Sequence, residues 1–179
     1  TKLENKMYKP ESDVFGICDL TNELLNTKKI TVIPKQTKYS DWIESEDIHE
    51  ILKNDLDVIV RLGFRILKGD ILKAAKCGVW SFHHGDNDVN RGGPAGFWEV
   101  FQNNPVTGSV LQIINDELDD GKILAKSYST TDPILVKRNC NNYYNKTLSF
   151  LPRKLKELHE LGKDQFLEKV EEQNKNIKF

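Results

Sequence analysis

Ser81, His83, His84 and Asp86 stand within one short stretch, residues 78–94, which reads GVWSFHHGDNDVNRGGP. A hydroxyl, two imidazoles and a carboxylate are the groups that proton transfer and nucleophilic chemistry use most. The apolar approach to them predicts a strand over Val79–His83. Side chains alternate along a strand, so Ser81 and His83 share one face and Phe82 takes the other. A strand that ends in polar residues and runs into a Gly-Asp-Asn loop places them at a sheet edge, where open α/β sheets bind ligands. A hydrolytic triad built on Ser81, His83 and Asp119 lacks the GxSxG elbow such a serine needs. A metal site at His83, His84 and Asp86 is not expected either, because adjacent strand residues point oppositely and no second ligand cluster follows. Arg91-Gly92-Gly93-Pro94 reads as an anion site at a helix N-terminus or as a turn.

Elements on both sides must position this stretch. The β-branched run Asp57–Leu62 predicts a short buried parallel strand, ended by Gly63. A strand is expected at Lys29–Ile33, stopped by Pro34, and helices at Ser45–Asn54 and Gly69–Cys77. Pro94 suits the first turn of a helix running to about Gln102. Strands are expected at Gly108–Asn115 and Ile123–Tyr128, close enough in sequence to pair antiparallel. From Pro133 the apolar spacing turns helical to Leu161, with a break at Pro152 and a stop at Gly162. A charged helix from Lys163 to about Gln173 follows. Trp80, Phe97 and Trp98 are expected in the core. The alternation predicts an α/β class: a Rossmann-like mixed, mostly parallel sheet flanked by helices. The expected division is an α/β domain over 1–132 and a C-terminal helical segment over 133–179 packed on it.

The 179 residues suffice for one real core. Their 26 Lys+Arg against 27 Asp+Glu leave a net charge of −1, which argues against nucleic-acid binding by bulk electrostatics. No apolar run approaches a membrane helix, so no membrane partner is expected. Three scattered cysteines without a CxxC read as reduced thiols, and the expected location is cytoplasmic.

Motif order adds to this. Gly63-Phe64-Arg65-Ile66-Leu67, the Gly78–Gly92 run with His83 and Arg91-Gly92, Thr107-Gly108, and Leu118-Asp119-Asp120-Gly121-Lys122-Ile123-Leu124 follow in series over roughly residues 57–128. The series resembles the N-terminal catalytic domain of folate-dependent formyltransferases of the methionyl-tRNA formyltransferase kind, in a divergent bacterial branch. The resemblance implies a formyl group moved from 10-formyltetrahydrofolate to an amine, an amino sugar being the acceptor in view. It implies His83 and Asp119 as catalytic residues with Ser81 as a third. It further implies Phe64, Arg65, Ile66, Leu67 and Asp116 around the folate, Arg91 and Asp86 toward the substrate, and no metal. Without a β-rich tRNA-binding domain in view, a tRNA substrate is disfavoured.

Three departures qualify it. Ser81 stands where the family has an asparagine. The Pro-Ser-Leu-Leu-Pro run after the family histidine is His84-Gly85-Asp86-Asn87-Asp88. The first Rossmann strand with its Gly-rich turn is not recognisable before residue 29. Acyl transfer passes through a tetrahedral oxyanion, and loss of one donor to that oxygen costs on the order of 3 kcal/mol. The alternative reading is therefore a catalytically degenerate ligand-binding or interaction module, with a fused, glycan-related neighbouring domain as its partner.

Overall fold

The computed structural model describes residues 2–86, 88–89, 93–116 and 121–175. A short helix, α1 (Lys2–Met7), precedes β1 (Lys35–Gln36), β2 (Ser40–Trp42) and α2 (Ser45–Leu52). Next come β3 (Ile59–Arg61), β4 (Ile66–Lys68), a 3-10 turn at Asp70–Lys73 and β5 (Val79–His83). After α3 (Phe97–Phe101), the long strands β6 (Val106–Ile114) and β7 (Lys122–Thr130) lead into α4 (Val136–Thr147), α5 (Phe150–Leu161) and α6 (Lys163–Lys175).

Two mixed sheets result, flanked by helices as expected. The larger has the order β3-β5-β6-β7 and the smaller β1-β2-β4. β3 pairs parallel with β5, while β5–β6 and β6–β7 are antiparallel. The antiparallel share is thus larger than the β6–β7 pair alone, because the chain returns from α3 along the open side of β5. In the small sheet β2 runs parallel to β4 and antiparallel to β1.

Several element boundaries differ from the expectation, each for a local reason. No ladder forms over Lys29–Ile33; pairing begins past Pro34, at Lys35, although Val32 still rests on the core and Ile33 is exposed. The helix expected over Gly69–Cys77 is only the turn Asp70–Lys73. Beyond it the amides of Lys76 and Cys77 bond the carbonyls of Leu56 and Asp57, drawing the chain into sheet-like pairing. Pro94 does not open α3, which begins at Phe97 after Gly96. Pro152 does not break the C-terminal helix: the break falls at Leu148–Ser149, and Pro152 sits in the first turn of α5. There its missing N–H costs nothing, since first-turn amides have no partner inside the helix.

β5 lies between two hydrophobic clusters. Val79 joins Ile43, Ile48, Leu67, Ile71 and Leu72 beneath the small sheet and α2. Trp80 turns the other way, into Leu111, Leu124, Phe150, Phe166 and Val170, with Phe82 at the margin. Phe97 and Trp98 are only half-buried; at the surface Phe97 stacks on Phe101 and Trp98 meets it edge-on. Among the described residues no helix is long and apolar enough to cross a membrane.

The Phe166 ring stacks on Trp80 at 5.6 Å and both are wholly buried, so this contact fastens α6 to the sheet. We expect Phe166→Ala to lower unfolding stability by about 3–5 kcal/mol, measured as a shift in the urea midpoint with an unchanged slope.

Candidate active site

The alternation along β5 puts Ser81 and His83 on one face, at the C-terminal half of the strand. Ser81 lies opposite Gln112 of β6, and His83 opposite Val110. Ser81 is 1% exposed and Gln112 3%, whereas His83 is half-buried at the strand end. The Ser81 hydroxyl accepts from Arg61 Nη1 at 2.7 Å and donates to the Phe82 carbonyl at 3.2 Å.

Arg61 ends β3, in register with Ser81. Its Nε and Nη2 donate to the Arg65 carbonyl at 3.1 and 2.6 Å, and Nη2 also bonds the Phe64 carbonyl. One guanidinium thereby fixes the turn from Gly63 to Arg65. A second arginine continues the brace. Arg65 donates Nε and Nη2 to Asp41 Oδ1 at 2.9 and 2.7 Å, and its amide donates to Oδ2 at 3.0 Å. These bonds from Arg65, opposed by burial, hold the Asp41 carboxyl below the usual aspartate range.

A cavity of about 540 Å³ opens beside this turn, lined by Arg61, Phe64, Leu67, Ile43, Ile59 and Val32 among others. Its size and apolar walls with few polar groups are those of a small-molecule site. Of the residues expected around a folate, Phe64 and Leu67 face this cavity. Arg65 is instead committed to Asp41, Ile66 pairs with Ser40 in the small sheet, and neither lines it. Asp116 is exposed, accepts Lys68 Nζ on its backbone carbonyl at 2.9 Å, and stands apart from the cavity.

The chain after His83 folds back over β6 and β7. Asp86 Oδ1 accepts Lys126 Nζ at 2.7 Å, and Asp88 Oδ2 accepts it at 2.8 Å. The Asp86 backbone rests on Gly108, where an added Cβ would lie 2.9 Å from the Asp86 Cα and 3.0 Å from its nitrogen. The glycine of Thr107-Gly108 is therefore the seat of the loop. Burial opposes the charge of both partners, yet their mutual hydrogen bonds win, lowering the Asp86 carboxyl and raising the Lys126 amine. Asp86, expected toward the substrate, is tied down in this largely buried ion pair.

His84 is packed among rings, with Tyr144 at 4.0 Å, Tyr143 at 5.7 Å and Phe82 at 5.9 Å between centroids. Its Nδ1 is buried without a hydrogen-bond partner. Burial, with the neighbouring His83 adding to it, pushes the His84 imidazole down to about 4.

The expected site residues Asp119 and Arg91 lie outside the described residues, as do Gly92, Leu118 and Asp120. The described chain resumes at Gly121, and this glycine sits on the residue paired with Ser81. A Cβ at Gly121 would lie 2.5 Å from the Ile113 carbonyl and 3.2 Å from the Gln112 amide group. Among the described residues no group of three His, Cys, Asp or Glu is placed to hold a metal ion.

Sequence reasoning missed Arg61 and Lys126. Arg61 had a signal: a lone cation closing an apolar strand needs polar partners that the strand itself does not provide. Lys126 had the alternation of β7, which puts it on the same sheet face as its partner Val110 and hence as His83.

No family model matches the chain, and no curated protein matches it. Among solved structures it is similar to phosphoribosylglycinamide formyltransferase from Campylobacter jejuni, at 19% identity and TM-score 0.49 over 56% of this chain and 55% of that one. The corresponding enzyme from Bacillus halodurans is 17% identical, with TM-score 0.49 over 57% and 53%. Glycinamide ribonucleotide transformylase 1 from Symbiobacterium toebii is 15% identical, with TM-score 0.49 over 57% and 50%. The chain thus matches about half the length of each of these proteins.

The burial of His84 makes a pH-dependent prediction. Its folded value lies below the ordinary histidine value, so the unfolded chain binds the proton first. Stability from this group is full above pH 6.5 and falls as pH drops toward 4, by up to about 3 kcal/mol. Urea unfolding at several pH values should show this loss in the wild type. His84→Phe should flatten the curve across that window.

Proposed function

We propose that this chain is an N-formyltransferase domain that moves a formyl group from 10-formyltetrahydrofolate, a co-substrate, to the amine of an amino sugar. The observation that carries the reading is where the ordered motifs fall. Phe64 and Leu67 line an apolar cavity beside the end of β3. Ser81 and His83 lie on one face at the end of β5, the Asp86 loop is seated on Gly108, and Gly121 lies over Gln112. Segments far apart in sequence thus meet along the neighbouring strands β3, β5 and β6.

The cavity suits the apolar ring of a folate, with Phe64 and Ile59 as wall. His83 sits at the open strand end, where an acceptor amine can reach its ring. The amine nitrogen bonds the formyl carbon, and the carbonyl electron pair moves onto oxygen. His83 takes the proton that the amine loses. The pair on oxygen returns, the bond from carbon to the donor nitrogen breaks, and His83 returns the proton to that nitrogen. The products are a formamide and tetrahydrofolate. Asp119 is proposed to orient the His83 ring. Arg91 is proposed to face the acceptor.

Amine formylation with 10-formyltetrahydrofolate across a panel of amino sugars tests the reading. One formamide should form per tetrahydrofolate released. His83→Ala should lower turnover about 100-fold or more, with an unchanged urea midpoint. Absence of product in the wild type, together with no heat of binding for a folate analogue at millimolar concentration, would reject the assignment.

A further inference from the structure

β3 is an edge strand, with β5 as its neighbour in the larger sheet. The Ile59 amide donates to the Gly78 carbonyl at 3.2 Å, so Ile59 turns its peptide groups toward β5. These groups alternate sides along a strand, and Val60 therefore turns its N–H and C=O outward, at the open edge. Among the described residues neither group meets a partner. Val60 also lines the cavity beside the turn after β3. It stands in register with Trp80, on the face covered by α5 and α6. The cavity walls Ile43, Ile59, Leu67 and Ile71 belong to the cluster on the other face. Val60 thus meets the cavity along its backbone edge. On the far side stand Ile30 and Val32, from a segment that forms no ladder with β3. The cavity lies between this open edge and residues 30–32.

We propose that the Val60 peptide is the edge that recognises the ring of the formyl donor. Its N–H donates to, and its C=O accepts from, adjacent atoms of a planar heterocycle. The ligand class is a ring with an acceptor nitrogen beside an amino group, as in the aminopyrimidine half of a pterin. A half-buried peptide group without a partner costs free energy, which such a ring recovers. Two bonds fix the ring edge-on, and the apolar walls cover its faces. A peptide strand fits less well. A strand gains from a row of outward groups, and Val60 is alone in offering one here: Val58 opens on a separate hollow beside α5, and Leu62 does not line the cavity. The contact asks nothing of the charged groups on the cavity wall, Arg61 and Lys28, the latter paired with Glu50 at 2.7 Å. The choice of a pterin rests on the formyl-transfer reading, whereas the open donor–acceptor edge does not.

The experiment has two arms. In the first, nitrogen-labelled wild-type protein is followed by NMR. Without ligand, the Val60 amide should exchange with solvent at least about tenfold faster than that of Ile59. 6-Hydroxymethylpterin should move the Val60 resonance saturably and slow its exchange. 2-Hydroxymethylquinoxaline, a bicycle of the same shape without the amino and oxo groups, should do neither. A Val60 resonance that stays still with the pterin, or moves equally with the quinoxaline, overturns the proposal. Movement with a valine-rich extended peptide and not with the pterin assigns the edge to a strand and overturns it too. A Val60 response to the pterin in a protein that forms no formamide removes the formyl-transfer reading and leaves the site standing. Formamide formed by a protein whose Val60 stays still does the reverse. In the second arm, Val60→Pro removes the outward N–H while the bonds of its neighbours to β5 remain, as a strand edge permits. It should raise the KM for 10-formyltetrahydrofolate about tenfold with kcat little changed. Val60→Ala, which keeps the amide, should stay within about twofold of wild type. A Val60→Pro protein with the wild-type urea midpoint and a KM within about twofold of wild type also overturns the proposal.

Discussion

Ser81 and Gln112 are paired side by side in the middle of the larger sheet, and both are sealed from solvent. A buried polar atom without a partner costs about 1–3 kcal/mol, so every neighbour of this pair is constrained to supply one. Arg61 does so for Ser81, and in doing so must place its other nitrogens on the carbonyls of Phe64 and Arg65. That sets the turn after β3. Arg65 is then aimed at Asp41 of β2, which ties that turn to the small sheet. The cavity wall, the brace between sheets and the polar face of β5 therefore follow from one requirement.

The opposite face of β5 has no such requirement and does a different job. Trp80 is enclosed by Phe166, Leu111 and Phe150, and α5 and α6 cover it. Packing of this density leaves side chains few alternative rotamers. The strand that carries His83 is thus held from behind while its front stays polar. The loop that follows gains rigidity by another route, through Lys126 between Asp86 and Asp88 and through the ring stack around His84. Removing either partner of such a buried pair would strand a charge, which makes the ion pair a fastening device more than a source of net stability.

The chemical residues therefore divide into those that face open space and those that hold them. Phe64 and Leu67, which line the cavity, belong to the first group. Asp86, Arg65 and Ser81 carry functional groups of the kind that catalysis uses, yet each is committed to a neighbour. Residue type alone does not distinguish the two roles. A carboxylate 15% exposed and paired with an amine 17% exposed is a strut, whatever its place in a motif.

Local pattern by itself determined β5, the strand at β3, the two long strands, the helix at Ser45 and the stop at Gly162, because each depends on nearest-neighbour alternation or on a residue with restricted backbone choice. The ordered motifs likewise named His83 and the glycines at 108 and 121. Only the tertiary structure decided that Gly69–Cys77 gives up a helix, since the amides of Lys76 and Cys77 meet distant carbonyls. It alone placed the helix break before Pro152, where a proline is harmless. It alone showed Arg61 on Ser81 and Lys126 on Asp86, contacts spanning 20 and 40 residues. Alternation tells which face a side chain takes. Which distant group it meets on that face depends on strand order and register, and no local window of sequence contains those.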